Sequence, residues 1–94
     1  MSLYFVISTS KILNQENYDK YVNLARPIIE KHGGEYVLQS DKVIASKDWD
    51  TEKIIIIKFD SKKQMDHCFQ SPEYQKIIHL REGSIKSRFV MVES

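Results

Sequence analysis

The sequence predicts an α+β fold in which one four-stranded antiparallel sheet carries two helical connections on one face. Three observations predict it. Four isoleucines run consecutively from Ile54 to Ile57; aromatic and β-branched runs lie at both ends of the chain; and two segments of helical periodicity alternate with these strands. A strand with four successive apolar residues points apolar side chains to both faces of its sheet, so both faces need cover. Two short helices cover one face. The other is expected to meet a second copy of the chain.

The elements follow in order. Leu3 to Thr9 carries no breaker and is apolar on both alternating sets, Leu3, Phe5 and Ile7 on one and Tyr4 and Val6 on the other, which marks a first strand. From Gln15 to His32, Tyr18, Tyr21, Val22, Ala25, Ile28 and Ile29 recur at helical spacing. Asn14 is the expected N-cap, and Gly33-Gly34 ends the helix. Pro27 lies inside and lacks the amide that would bond to Asn23, so a bend is expected there. Tyr36 to Ser46 reads as a second strand with a turn or bulge near Ser40-Asp41, and Asp48 to Thr51 as the polar loop before the isoleucine strand. Ser61 with Gln64 fits a capping box opening a second helix, whose buried stripe is Met65, Cys68 and Phe69. Ser71-Pro72 stops that helix and starts another, on which Tyr74, Ile77, Ile78 and Arg81 share a face, with Gly83 at its end. Arg88 to Val92 is the last strand. The order strand, helix, strand, strand, helix, strand is the split βαβ, ferredoxin-like arrangement, and right-handed crossovers put both helices on one side.

Residues 1–94 are expected to form one domain. Lys and Arg number 14 against 13 Asp and Glu, a net charge of +1, so no global field draws the chain to nucleic acid or to an anionic membrane. No apolar run approaches the ~18 residues of a membrane span, and no leader pattern opens the sequence. Cys68 is the one cysteine, which excludes an internal disulfide and fits a reducing, cytoplasmic setting.

Tyr18 with Tyr21, Pro27, Gly33-Gly34, Asp48-Trp49, Ser71-Pro72-Glu73-Tyr74, Leu80-Arg81 and Val92-Glu93 together resemble, in order and spacing and nearly end to end, the family catalogued as domain of unknown function 1330. That family lies within the dimeric α/β-barrel superfamily. The resemblance implies a homodimer whose two sheets face each other, and it implies no established reaction. The chain departs from the family pattern after Trp49, with Thr51 and Lys53 where proline and then arginine are usual. Lysine keeps the charge but lacks arginine's planar fork.

Several residues carry candidate chemistry. Trp49, among Asp48, Asp50 and Glu52, reads either as the wall of a pocket between sheet and helices or as a cap on the edge of a small core. Tyr74 and Arg81 lie two turns apart on one helical face and suit an anionic ligand; an arginine at a helix C-terminus also favours the dipole on its own. His79, off the apolar stripe, and Asp50 are the candidate proton-transfer groups. His67 and Cys68 are adjacent and diverge by about 100° on a helix, so they form no nucleophile–base pair, and Cys68 reads as core. His32 reads as a helix-end residue favourable to the dipole. Histidines 32, 67 and 79 lack zinc-pair spacing, and no glycine-rich phosphate loop is present, so neither metal nor cofactor is expected. Two functions remain open. One is a small cofactor-free enzyme, by analogy with superfamily monooxygenases and isomerases, acting on an anionic or aromatic metabolite in a cleft between sheet and helices. The alternative is a non-catalytic ligand-binding or regulatory module.

Overall fold

The computed structural model describes Met1–Ser94. Its elements are β1 (Leu3–Ile12), α1 (Gln15–Lys31), β2 (Glu35–Ser40), β3 (Lys53–Phe59), α2 (Lys62–Phe69), two single-turn helices α3 (Pro72–Gln75) and α4 (Ile78–Arg81), and β4 (Ile85–Glu93). The strands form one sheet in the order β2-β3-β1-β4 with every neighbouring pair antiparallel, which is the ferredoxin-like α+β topology. No helix is long and apolar enough to cross a membrane.

Local chemistry sets the boundaries. Asn14 caps α1 by accepting a hydrogen bond from the Asn17 amide at 3.0 Å, and the helix runs unbroken through Pro27. Gly33, at φ +90°, supplies the left-handed residue that ends it. Ser61 caps α2 through the Gln64 amide. The reciprocal arm of the expected capping box reaches one residue further, Gln64 Oε1 accepting from the Asp60 amide at 2.8 Å.

Three expectations are corrected. β2 stops at Ser40 instead of Ser46, because Ser40 Oγ accepts from the Lys42 amide and turns the chain away; residues 41–52 then run as a loop on which Ile44 is fully exposed. β4 starts at Ile85 instead of Arg88, because β1 itself continues to Ile12 past a bulge after Thr9 and offers pairing partners as far as Ile85. The helix predicted from Pro72 to Gly83 is two single turns. The Ile77 amide bonds to the Tyr74 carbonyl and the Leu80 amide to the Ile77 carbonyl, both tight i to i+3 contacts that break the α ladder.

The core lies between the sheet and the helices. Leu3, Ile55, Ile57 and Phe59 from the strands meet Ala25 and Ile29 of α1, Met65 and Cys68 of α2, and Tyr74 and Ile77 beyond it. Alternation along the strands sends Tyr4, Val6, Ile54, Ile56, Val90 and Val92 to the opposite face, where no helix lies. Val90 is 55% exposed and Val92 47%. The isoleucine strand is therefore double-faced, and the chain covers one of its faces.

Candidate functional site

The helices do not close completely on the sheet. A cavity of about 350 Å³ remains between them. Its floor is Phe5 and Ile7 of β1 with Ile55 and Ile57 of β3, and α1 forms one wall through Tyr18, Tyr21 and Ala25. Phe69, Tyr74, Ile78 and Arg81 form the other wall. Aromatic packing fixes this second wall: Phe69 stacks edge-on to Tyr74 with centroids 5.0 Å apart and meets Phe5 at 5.3 Å.

Beside the glutamines Gln39, Gln70 and Gln75, three polar groups of the mostly apolar lining come together. The Tyr21 and Tyr74 hydroxyls share a hydrogen bond at 2.7 Å. Burial pushes both phenols above the ordinary tyrosine range, Tyr21 further because the Tyr74 oxygen adds to the effect. Both are neutral donors at any physiological pH. The Arg81 guanidinium is close enough to lower both phenol pKa values against that trend. Arg81 donates to Ser87 Oγ at 3.1 Å and takes part in no salt bridge. A half-buried guanidinium without a carboxylate, beside two neutral phenols over an apolar floor, is complementary to an anionic group on an apolar body. At the far edge Tyr36 lies under the Arg26 guanidinium, 4.7 Å from its centroid, and burial pushes its phenol up to about 12.

The sequence-derived candidates separate. Tyr74 and Arg81 meet in the cavity. Trp49 lies on the opposite face of the sheet, where Nε1 donates to Ser8 Oγ at 3.1 Å and the indole is 49% exposed, so it forms neither a wall between sheet and helices nor a cap on their core. Asp50 is exposed on that same side in a hollow with Arg88. His79 is exposed and forms no hydrogen bond or ion pair with the protein. Cys68 is fully buried in the core, and burial raises its thiol to about 11. His32 approaches Glu73 at 3.6 Å, and Lys31 bonds the same carboxylate at 3.0 Å. Sequence reasoning placed Tyr21 on the buried stripe but missed its polar role. The available signal was its hydroxyl, which needs a partner wherever the ring is buried.

The fold and cavity define a ferredoxin-like α+β protein with an open sheet face and an apolar cleft under its helices. The chain belongs to the family described as domain of unknown function 1330, whose model matches residues 2–94. No curated protein matches the sequence. Among solved structures, a protein of unknown function from Rhodopseudomonas palustris is similar over 99% of this chain and 82% of its own, at 17% identity and a TM-score of 0.79. SnoaB, a cofactor-independent oxygenase from Streptomyces nogalater, is similar over 99% of this chain and 92% of its own, at 10% identity and a TM-score of 0.71. A dimeric ferredoxin-like protein of unknown function from Jannaschia sp. CCS1 is similar over the full length of both chains, at 13% identity and a TM-score of 0.70. At these identities the likeness is one of fold.

Proposed function

We infer that the cleft binds a small metabolite with an aromatic or other apolar body and one acidic group, and that the chain works as a one-domain homodimer. The observation that carries the ligand reading is Arg81, a cation with no carboxylate partner at the wall of a mostly apolar cavity. Its guanidinium takes the acid, the one O–H that the Tyr21–Tyr74 pair leaves free donates to an oxygen of the same group, and Phe5, Ile7 and Ile55 bury the body. The uncovered sheet face supports the homodimer, and so does the dimeric Jannaschia neighbour. A single buried thiol suits a reducing cytoplasm.

The test is calorimetric titration of aromatic monocarboxylates such as biphenyl-4-carboxylate into wild type and Arg81→Ala. Loss of the charge-assisted contact weakens binding by about tenfold. Equal affinities for the two proteins would sink the assignment.

One observation favours chemistry over simple binding. The paired phenols beside a guanidinium are placed as neutral donors toward an oxygen that gains negative charge, as a cofactor-free oxygenase or isomerase requires. His79 and Asp50 do not share that space, so Tyr21 and Tyr74 are the hydrogen-bonding groups of this reading. Turnover of a bound aromatic acid that falls at least tenfold in Tyr74→Phe, with affinity kept, distinguishes enzyme from module.

A further inference from the structure

The strand register carries the ligand's description further than one acid. Thr9 of β1 sits directly opposite Ser87 of β4 on one side and Lys53 of β3 on the other, so the three form one row across the sheet on its helix-covered face. At ~4.8 Å per strand, the ends of that row are roughly 10 Å apart. Arg81 holds the β4 end through Ser87. Lys53 stands at the β3 end, its ammonium 4.8 Å from the centroid of the Tyr18 ring and in no salt bridge. Between them Thr9 is 1% exposed, and its Oγ1 has no hydrogen-bond partner at all. A buried hydroxyl left unsatisfied is rare and unfavourable, and here it lies in the same row as an unpaired ammonium.

The neighbouring row is Phe89, Ile7 and Ile55, all three lining the apolar cavity. An elongated apolar body laid along that row has one end at Arg81 on the β4 side and the other towards Lys53 on the β3 side, with Thr9 on the strand between. The space is continuous in lining: Tyr18 and Val22 border both this cavity and a second, more polar cleft of about 780 Å³ that contains Thr9 and Lys53.

Resting on the reading that Arg81 takes an acid, we propose that the ligand carries a second polar group towards the β3 end of the row, up to about 10 Å from that acid, a neutral acceptor oxygen such as a phenol or ketone, bound by Lys53 and by the Thr9 hydroxyl one strand nearer. Neutrality follows from the surroundings. Asp19, Asp41 and Glu52 line the same outer cleft, so a second carboxylate meets net repulsion, whereas a hydroxyl accepts from Lys53 and can donate to one of these acids.

Three rigid probes share one biphenyl body and differ only at the far end: biphenyl-4-carboxylate, 4′-hydroxybiphenyl-4-carboxylate and biphenyl-4,4′-dicarboxylate. Wild type is expected to bind the hydroxy acid about fivefold tighter than the plain acid, and the diacid no tighter than the hydroxy acid. Lys53→Met, which keeps the apolar stem over Tyr18, and Thr9→Val, which keeps the shape, each remove that preference while leaving the plain acid's affinity unchanged. Thr9→Val also leaves the unliganded protein as stable as wild type or more so, because no hydrogen bond is lost. Equal binding of the plain and hydroxy acids to wild type, or a preference that survives Lys53→Met, overturns the second contact; a diacid that binds tightest overturns its neutrality. Failure of the underlying Arg81 assignment shows separately, as an unchanged affinity of the plain acid for Arg81→Ala, and takes this proposal with it.

Discussion

Removing the hydroxyl of Tyr74 tests whether the Tyr21–Tyr74 pair is a coupled unit. Tyr74 is 5% exposed, and its hydroxyl, 2.7 Å from that of Tyr21, is the phenol partner Tyr21 has inside the cavity wall. Tyr74→Phe keeps the ring and its edge-on packing against Phe69, so little apolar contact is lost. What changes is that Tyr21 keeps a polar oxygen in a mostly apolar environment with no protein partner. A stranded buried hydroxyl of this kind destabilises by about 1–2 kcal/mol, and Tyr21→Phe has a similar effect for the same reason. In the double variant neither oxygen remains and the rings stay packed, so its destabilisation is expected to be smaller than the sum of the singles by about 1 kcal/mol. Urea unfolding at one fixed protein concentration measures all three, since the midpoint of the proposed dimer depends on concentration. With a slope near 1 kcal/mol per molar for a chain this small, each single shifts the midpoint by roughly 1 M. Additive single and double effects would refute the coupling, and with it the claim that these phenols act as a polar pair toward a ligand.

Four further outcomes follow from the same geometry. Val90→Asp places a charge where the isolated chain is already 55% exposed, so the protein stays folded, while sedimentation shows monomer in place of the proposed dimer. Trp49 is the chain's one tryptophan and is half exposed on that same sheet face, so diluting the wild type through its dissociation range shifts the indole emission to the red, and Val90→Asp shows the shifted spectrum at all concentrations. Tyr36 has its phenol raised from 10.0 to about 12, and a raised acid favours the folded state while neutral, so its contribution is whole below pH 10 and lost as the pH climbs towards 12. Tyr36→Phe is therefore expected to flatten the alkaline fall in unfolding free energy over that window. Gly34→Ala brings a Cβ against the Ile29 Cγ2 methyl, 3.0 Å from the Ile29 carbonyl oxygen and 3.1 Å from the Phe59 ring, and lowers stability by about 1–3 kcal/mol in urea unfolding.

The fold was legible because its signals are local. Asn14, Ser61 and Ser71 are caps by side-chain chemistry alone, and each accepts the amide hydrogen bond that its type implies. The isoleucine run announced a two-faced strand, and the exposed Val90 and Val92 are the other side of that statement. Tyr74 and Arg81 were legible as a pair because seven residues of helical spacing put them on one side, and they remain on one side although the helix between them is broken into single turns. Trp49 was not placed correctly, because the face on which a loop folds depends on where the preceding strand ends. β2 ends six residues early, so residues 41–52 are free to cross to the uncovered face, where Ser8 receives the indole N–H. Thr9 and Lys53 gave no sign of acting together: their proximity is a matter of strand register, 44 positions apart in sequence and adjacent only once β1 and β3 pair.

That register has a consequence for how the two halves of the protein depend on one another. β1 and β3 are the central strands, and each alternates between the two tasks residue by residue: Phe5, Ile7, Ile55 and Ile57 line the cavity, while Tyr4, Val6, Ile54 and Ile56 form the open face. A partner packed on that face presses on the same two backbones that set the spacing between Arg81 at Ser87 and Lys53 at Thr9. In the proposed homodimer, pairing is expected to stiffen the floor of the cleft, so a monomeric Val90→Asp protein keeps the proposed ligand contacts but holds them less rigidly. The affinity of biphenyl-4-carboxylate, which does not use Lys53 or Thr9, is then little changed in the monomer. The added preference for 4′-hydroxybiphenyl-4-carboxylate, which needs both ends of the row at their proper separation, declines. Titration of the two acids into Val90→Asp reads this directly, and a preference as large as that of the dimer means that the chain's own helices are enough to fix the row.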